Sequence, residues 1–150
     1  GPERVEVKSS GRRQRRHYFS LEQLQPPTGT RLWIASLFAE RAAGGASLGS
    51  VLDKACSDLS AEDATRIRRV AAETLGLGFT HALDVAFDFE LATESLCYFD
   101  YAVVPRPGLP LLPEISDVRF LADISNAQQI GCVDDSMLLS ALPPTIVKAR

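Results

Sequence analysis

Cysteine is scarce and poorly arranged for chemistry. Cys56, Cys97 and Cys132 are odd in number, widely spaced, and form no C-x-x-C pair. That pattern argues against a zinc site or a disulfide framework, and free thiols in a reducing cytoplasm are expected. The chain also lacks a run of about 18 apolar residues, the length a membrane-spanning helix needs. No basic leader followed by an apolar core is present either, so a cytoplasmic protein with no membrane partner is expected. An excess of positive charge is missing too. Sixteen Lys and Arg stand against nineteen Asp and Glu, for a net charge of −3, which argues against a surface that wraps nucleic acid all round.

What is present fits one globular domain: 150 residues, 45% of them apolar and 23% charged, are enough to bury a real core. The cationic charge is uneven. Six of the sixteen Lys and Arg, namely Arg4, Lys8, Arg12, Arg13, Arg15 and Arg16, fall within residues 4–16. One basic edge on an acidic body can hold a phosphate backbone locally without binding every polyanion.

Val5-Glu6-Val7-Lys8-Ser9-Ser10 alternates with period two, the pattern of a strand whose Val5 and Val7 make a greasy face. Glu6 and Lys8 then share the other face about 7 Å apart. A glutamate binds a divalent cation through oxygen, and a neighbouring lysine steadies a hydroxide or the charge building on a phosphorane. A surface strand with two solvated charges shows the same tripeptide. Residues 5–21 predict a β-hairpin with Ser9 to Gln14 as its tip and His17-Tyr18-Phe19-Ser20-Leu21 as its second strand. Arginines crowded at a tip repel one another and add no stability, which favours a phosphate clamp: Arg12, Arg13, Arg15 and Arg16 supply forked donors, and Ser9 and Ser10 supply hydroxyls. His17 reads as a packing or surface residue. Leu21 to Leu24 predict a helical turn stopped by Pro26-Pro27. Residues 31–39 are too uniformly apolar for a half-exposed strand and predict a central strand covered on both faces, with Trp33 and Phe38 in the core.

The order of these pieces, EVKSS, hairpin, strand, Gln23-Leu24, strand and then a Ser47-Leu48-x-x-x-Leu52 helix, resembles a family of PD-(D/E)XK proteins often encoded beside bacterial restriction and phage-defence genes. The resemblance spans roughly residues 5 to 130, with EVKSS and Gln23-Leu24 its specific parts. It implies an α/β (α+β) fold: a restriction-endonuclease-like mixed sheet flanked by helices, with a C-terminal β-hairpin extension. It also implies a DNA endonuclease using Mg²⁺ or Mn²⁺, with Glu6 and the Val7 carbonyl as ligands, Lys8 orienting the attacking water, and Gln23 near the metal. DNA, protein partners of a defence complex and a second copy of the chain are the partners it implies. The family pattern further requires an acidic residue on the strand before E-x-K. Glu3 is too close to Glu6 to belong to a separate strand, so that residue is expected upstream in a longer natural protein, Gly1-Pro2 resembling a tag scar.

Two other functions fit parts of the pattern. One is a non-catalytic nuclease-like DNA-binding or scaffold subunit. The other is a cyclic-dinucleotide-binding module, since Arg12 to Arg16 matches the R-x-x-x-R of PilZ barrels. Asp123-Ile124-Ser125 lacks the glycine of the second PilZ motif, and two intervening helices suit a barrel poorly.

Further along, Ala42 to Ala46 predict a flexible turn, and Ser47 caps a helix from about Leu48 to Leu59. Ser60-x-x-Asp63 reads as a capping box for a second helix running to about Leu75 and closed by Gly76. Arg66, Arg68 and Arg69 decorate that helix as a solvated face. Val85 to Leu91 and Cys97 to Val104 predict paired strands, with Asp84, Asp88, Glu90 and Asp100 facing water rather than holding a metal. Pro105 to Pro110 predict an extended loop, and a last strand is expected near Val118 to Ile124. The implied organisation is the C-terminal part of a nuclease core over 1–80, a β-rich extension over 81–133 packed on the same domain, and a tail over 134–150 with an apolar run at Met137 to Leu142.

Overall fold

The computed structural model describes residues 1–108 and 117–132. The tail from 134 onward, with its Met137 to Leu142 run, and the end of the proline loop lie outside the described residues. In chain order the elements are β1 (Glu3–Ser10), β2 (Arg16–Ser20), a 3-10 turn (Glu22–Leu24), β3 (Arg31–Phe38), β4 (Arg41–Ser47), α1 (Leu48–Ser57), α2 (Ala61–Leu75) and α3 (Phe79–Leu83). They continue with β5 (Ala86–Phe87), α4 (Phe89–Glu94), β6 (Cys97–Asp100), a 3-10 turn (Tyr101–Val103), β7 (Arg119–Asp123) and β8 (Gly131–Cys132). This is a mixed α+β chain. It divides into two units, one made of residues 1–39 with 90–150 and one of residues 40–89.

The first unit is built on a four-stranded sheet in the order β1-β3-β6-β8 and a two-stranded ribbon of β2 and β7. β1 runs parallel to β3, in register from Glu3 opposite Arg31 to Ser10 opposite Phe38. β6 is antiparallel to β3 and to β8. The predicted hairpin is therefore corrected: β1 and β2 are consecutive but not partners, and β2 pairs antiparallel with β7 instead. A parallel pair needs a long crossover, and β2 with its following 3-10 turn occupies it. β3 is central, as its apolar run predicts, and Leu32 to Ser36 are all buried. On one face Ile34, Cys97 and Phe99 pack with Phe19, Leu24, Ala122 and Ile124. On the other, Ala35 and Tyr98 pack with Val5 and Leu96.

The second unit shows helix signals working as the sequence reads. Ser47 Oγ accepts from the Ser50 N–H at 3.1 Å, and Ser60 Oγ accepts from the Asp63 N–H at 3.1 Å, each satisfying an orphan donor of a helix start. Gly76 closes α2 with φ +54, a conformation that favours glycine. The turn predicted at Ala42 to Ala46 is instead part of β4. Phe87 of β5 pairs with both Arg41 and Ala46 across a bulge. Gly44 at φ +83 and Gly45, where a Cβ would run into the Phe87 carbonyl, make that bulge feasible. The strand pairing predicted between 85–91 and 97–104 does not form: β5 pairs with β4, α4 follows it, and β6 pairs with β3 and β8. Among the described residues no helix is long and apolar enough to cross a membrane.

Cys56 is a buried free thiol, as expected. Cys97 is not: it is disulfide-bonded, and it stands opposite Cys132 in the β6–β8 ladder. Wide spacing in the sequence said nothing about strands that the sheet sets side by side.

Arg15 holds the ribbon against the sheet. Its Nη1 donates to the Ser36 carbonyl at 2.7 Å and to Ser36 Oγ at 2.9 Å, and its Nη2 to the Ser95 carbonyl at 2.6 Å. The guanidinium also lies over the rings of Phe38 and Phe99, at 4.7 and 5.6 Å. Truncating such a fork leaves carbonyls unpaired, and charged hydrogen bonds are worth about 1.5–3 kcal/mol. Arg15→Ala is therefore expected to lower the unfolding free energy by roughly 2–3 kcal/mol. Arg15→Lys should recover little of it, because an ammonium cannot reproduce the planar fork. Urea unfolding of both variants checks this, and a lysine variant as stable as the parent would remove the fork from the account.

Candidate functional site

Alternation along β1 sends Arg4, Glu6, Lys8 and Ser10 to one side and Val5, Val7 and Ser9 to the other. The expected exposure is reversed at Glu6, Val7 and Lys8, while Val5 packs against the sheet. The Glu6 and Lys8 side chains are only 17% and 14% exposed, while Val7 is 63% exposed. The reason is the crossover: β2 and the 3-10 turn after it cover the charged face. Lys8 Nζ sits 4.9 Å from the centre of the Phe19 ring, and Phe19 is itself core.

Within that cover, three of the predicted residues meet. Lys8 Nζ donates to Glu6 Oε1 at 3.1 Å and to Gln23 Oε1 at 3.1 Å. Gln23 is fixed in turn, because its Oε1 also accepts the Ser20 N–H at 3.0 Å while its own N–H donates to Ser20 Oγ at 3.2 Å. The second carboxylate oxygen of Glu6 faces Arg4 Nη2 at 3.8 Å, a partner the sequence pattern did not reveal. An ammonium carries three N–H donors, so two acceptors do not exhaust Lys8.

The predicted phosphate contacts separate into two groups. Arg12, Arg13 and Arg16 are exposed. Ser10 caps the turn, its Oγ accepting from the Arg12 N–H at 3.2 Å, and Ser9 is exposed at the end of β1. Arg15 leaves the set, since its donors are spent on Ser36 and Ser95 as described above. Reading the turn as a cluster of like charges could not distinguish one arginine of four. Val7 stands opposite Ala35 in the β1–β3 ladder, on an edge strand of the described sheet.

A divalent cation asks for several oxygen ligands. Among the described residues no three His, Cys, Asp or Glu side chains come together to hold one. By register, Asp100 lies opposite Trp33 and so belongs to the Val5 face, away from Glu6. Glu6 thus supplies one carboxylate, already shared between two cations, and the described residues do not by themselves form a metal site.

His17 closes the inner side of the arrangement. It is 3% exposed, and its Nε2 lies 2.8 Å from Ser36 Oγ. Burial first, then the charges of Lys8 and Arg15, hold its pKa below the ordinary imidazole value, against a hydrogen bond to the Ser9 backbone and the charge of Asp123. The imidazole is therefore neutral near pH 7. With Arg15 able only to donate to Ser36 Oγ, the hydroxyl proton is free to go to His17 Nε2, leaving the other ring nitrogen to donate to Ser9. A depressed folded-state pKa means that the unfolded chain takes up the proton first on acidification. The contribution of His17 to stability is thus complete above about pH 6.5, the unfolded value, and is lost as the pH falls below it. The urea midpoint is expected to fall between pH 7.5 and 5.0, with a shallower fall in His17→Gln. Parallel falls in the two proteins would assign the pH dependence to other groups.

No curated protein and no solved structure matches the chain. A family model does match, over residues 1–125, which take in β1, the Glu6–Lys8–Gln23 cluster, both halves of the ribbon and the sheet down to β7. On that match the chain belongs to the family described as "Putative PD-(D/E)XK family member, (DUF4420)".

Proposed function

We propose that the first unit carries the E-x-K half of a phosphodiesterase site of the restriction-endonuclease-like type, acting on DNA with a divalent cation such as Mg²⁺ or Mn²⁺. The observation that carries this reading is the placement of Lys8: its ammonium is half-buried, aligned by Glu6 and Gln23, and set beside a turn that exposes Arg12 and Arg13. A lysine oriented in this way can donate to a phosphate oxygen or to the attacking water and offset charge that develops in the transition state. Glu6 has two roles in the proposal, orienting Lys8 and offering an oxygen to a cation. Gln23 keeps the ammonium from collapsing onto the carboxylate alone. The cation supplies Lewis acidity and an ionised water in sites of this kind. A further acidic residue is required to complete its shell, and the chain's own part is positioning and charge.

The single carboxylate favours one other reading, a nuclease-like protein that binds DNA or a defence-complex partner without cutting. Nicking of supercoiled plasmid separates the two. The 150 residues are expected to nick weakly or not at all with Mg²⁺, and a chain in which a further carboxylate is supplied beside Glu6 should cut. In such a chain Glu6→Gln and Lys8→Ala should each lower the rate at least about 100-fold, the size of a lost transition-state donor, with unchanged unfolding midpoints. A folded chain of that kind that binds DNA without cutting it, or that cuts equally well in both variants, refutes the enzymatic reading. Robust cutting by the 150 residues, abolished by Lys8→Ala, would show that no further carboxylate is needed.

A further inference from the structure

The outer face of the β2–β7 ribbon is not explained by packing. His17 and Phe19 point inward and are buried, as is Ala122 opposite His17, whereas Tyr18 is 71% exposed and Leu121, its cross-strand partner, is 43% exposed. Arg16 and Ser20 flank Tyr18 on the same side of β2, with Asp123 and Arg119 opposite them on β7. An aromatic side chain left this open gains little from burial, but it presents a flat π-face beside cations. Arg12, Arg13, Arg16 and Arg119 are all exposed in or next to this ribbon. Among the described residues three carboxylates stand near them: Asp123, held ionised by hydrogen bonds from Ser125 and then by the charge of Arg16, Glu22, near Arg119, and Asp117, two residues before Arg119. The balance is positive on a chain whose net charge is −3.

We propose that Tyr18, with Arg16 and Arg119, is a platform on which an unpaired base of a nucleic acid stacks. The inference rests on the phosphodiesterase reading and makes it narrower: the substrate offers a single-stranded or extruded nucleotide at this site. Only an unpaired base exposes a face to a side chain in this way, whereas the bases of a duplex are covered by their neighbours. The connection to Lys8 is short. Phe19 turns its ring in beneath the Lys8 ammonium while Tyr18, the preceding residue, turns out. The Ser20 N–H, two residues beyond Tyr18, bonds the same Gln23 oxygen that receives Lys8. The platform and the aligned ammonium thus lie on opposite faces of the same short strand, and a nucleic acid crossing its edge would meet both.

The test is fluorescence anisotropy of the 150-residue chain, without Mg²⁺, with a labelled 12-nucleotide single strand and with a blunt duplex of the same sequence. Stacking one base on an aromatic ring is worth about 1–3 kcal/mol, so Tyr18→Ala should weaken single-strand binding roughly 5- to 150-fold. Tyr18→Phe should retain it, and duplex binding should change less than about twofold, since the phosphate contacts remain. Single-strand binding unaltered by Tyr18→Ala, or equal losses on single strand and duplex, overturns the platform. So does a parent chain that binds no single strand. In each of those cases the plasmid assay still decides the phosphodiesterase reading independently. Loss of self-association in Tyr18→Ala, read by sedimentation, with oligonucleotide binding intact, would likewise overturn it and assign the face to a second copy of the chain.

Discussion

A guanidinium bonded to backbone carbonyls and a hydroxyl holds the first unit together. Arg15 reaches from the turn after β1 to the Ser36 carbonyl on β3 and the Ser95 carbonyl ahead of β6, with the rings of Phe38 and Phe99 against its flat face. Burial lowers its pKa, yet a guanidinium stays charged in proteins. A half-buried cation is tolerable here because carbonyl dipoles and aromatic faces replace lost water at several points at once. The backbone around it is tied as well: the Arg15 N–H donates to Ser125 Oγ, and its carbonyl accepts from Ile124. The ribbon therefore cannot lift from the sheet without breaking several of these bonds together.

That constraint makes the charged cluster possible. Because the ribbon and its 3-10 turn lie over the Glu6 face of β1, Lys8 is taken from open solvent to a half-covered position over Phe19, and Gln23 comes within reach of it. In water, an ammonium and a carboxylate at this spacing would interact weakly and through many geometries. Under cover they have few alternatives, and their direction becomes defined. The same cover buries His17, and that burial first, then the charges of Lys8 and Arg15, keep it neutral near pH 7.

The two longer helices, α1 and α2, were legible residue by residue, whereas α3 was not anticipated and α4 begins in a segment read as a strand. Ser47, Ser60 and Gly76 each act through neighbours three or four positions away, so the sequence contains their partners. β3 was legible for a related reason: a run apolar at every position fits only a strand covered on both faces. The readings that failed were those that required a partner strand. The basic turn looked like the tip of a hairpin because hairpins join consecutive strands, yet β1 paired in parallel with β3 and β2 found β7 beyond the proline loop. The Gly44-Gly45 pair looked like a turn, yet it serves a bulge opposite Phe87.

By itself the sequence determined that Glu6 and Lys8 share a strand face, that Gln23 follows in a helical turn, and that the arginines cluster just beyond. Each of these follows from a period of two or from adjacency in the chain. Only the tertiary structure decided that this face is the covered one, that Arg15 of the four turn arginines points inward, and that Cys97 is not a free thiol. It also decided that Tyr18 is left facing water. Those outcomes depend on which strand lies across which, a choice set by burying Phe19, Ile34 and Phe99 together. That burial is an energy shared among segments distant in sequence, and no local pattern carries it.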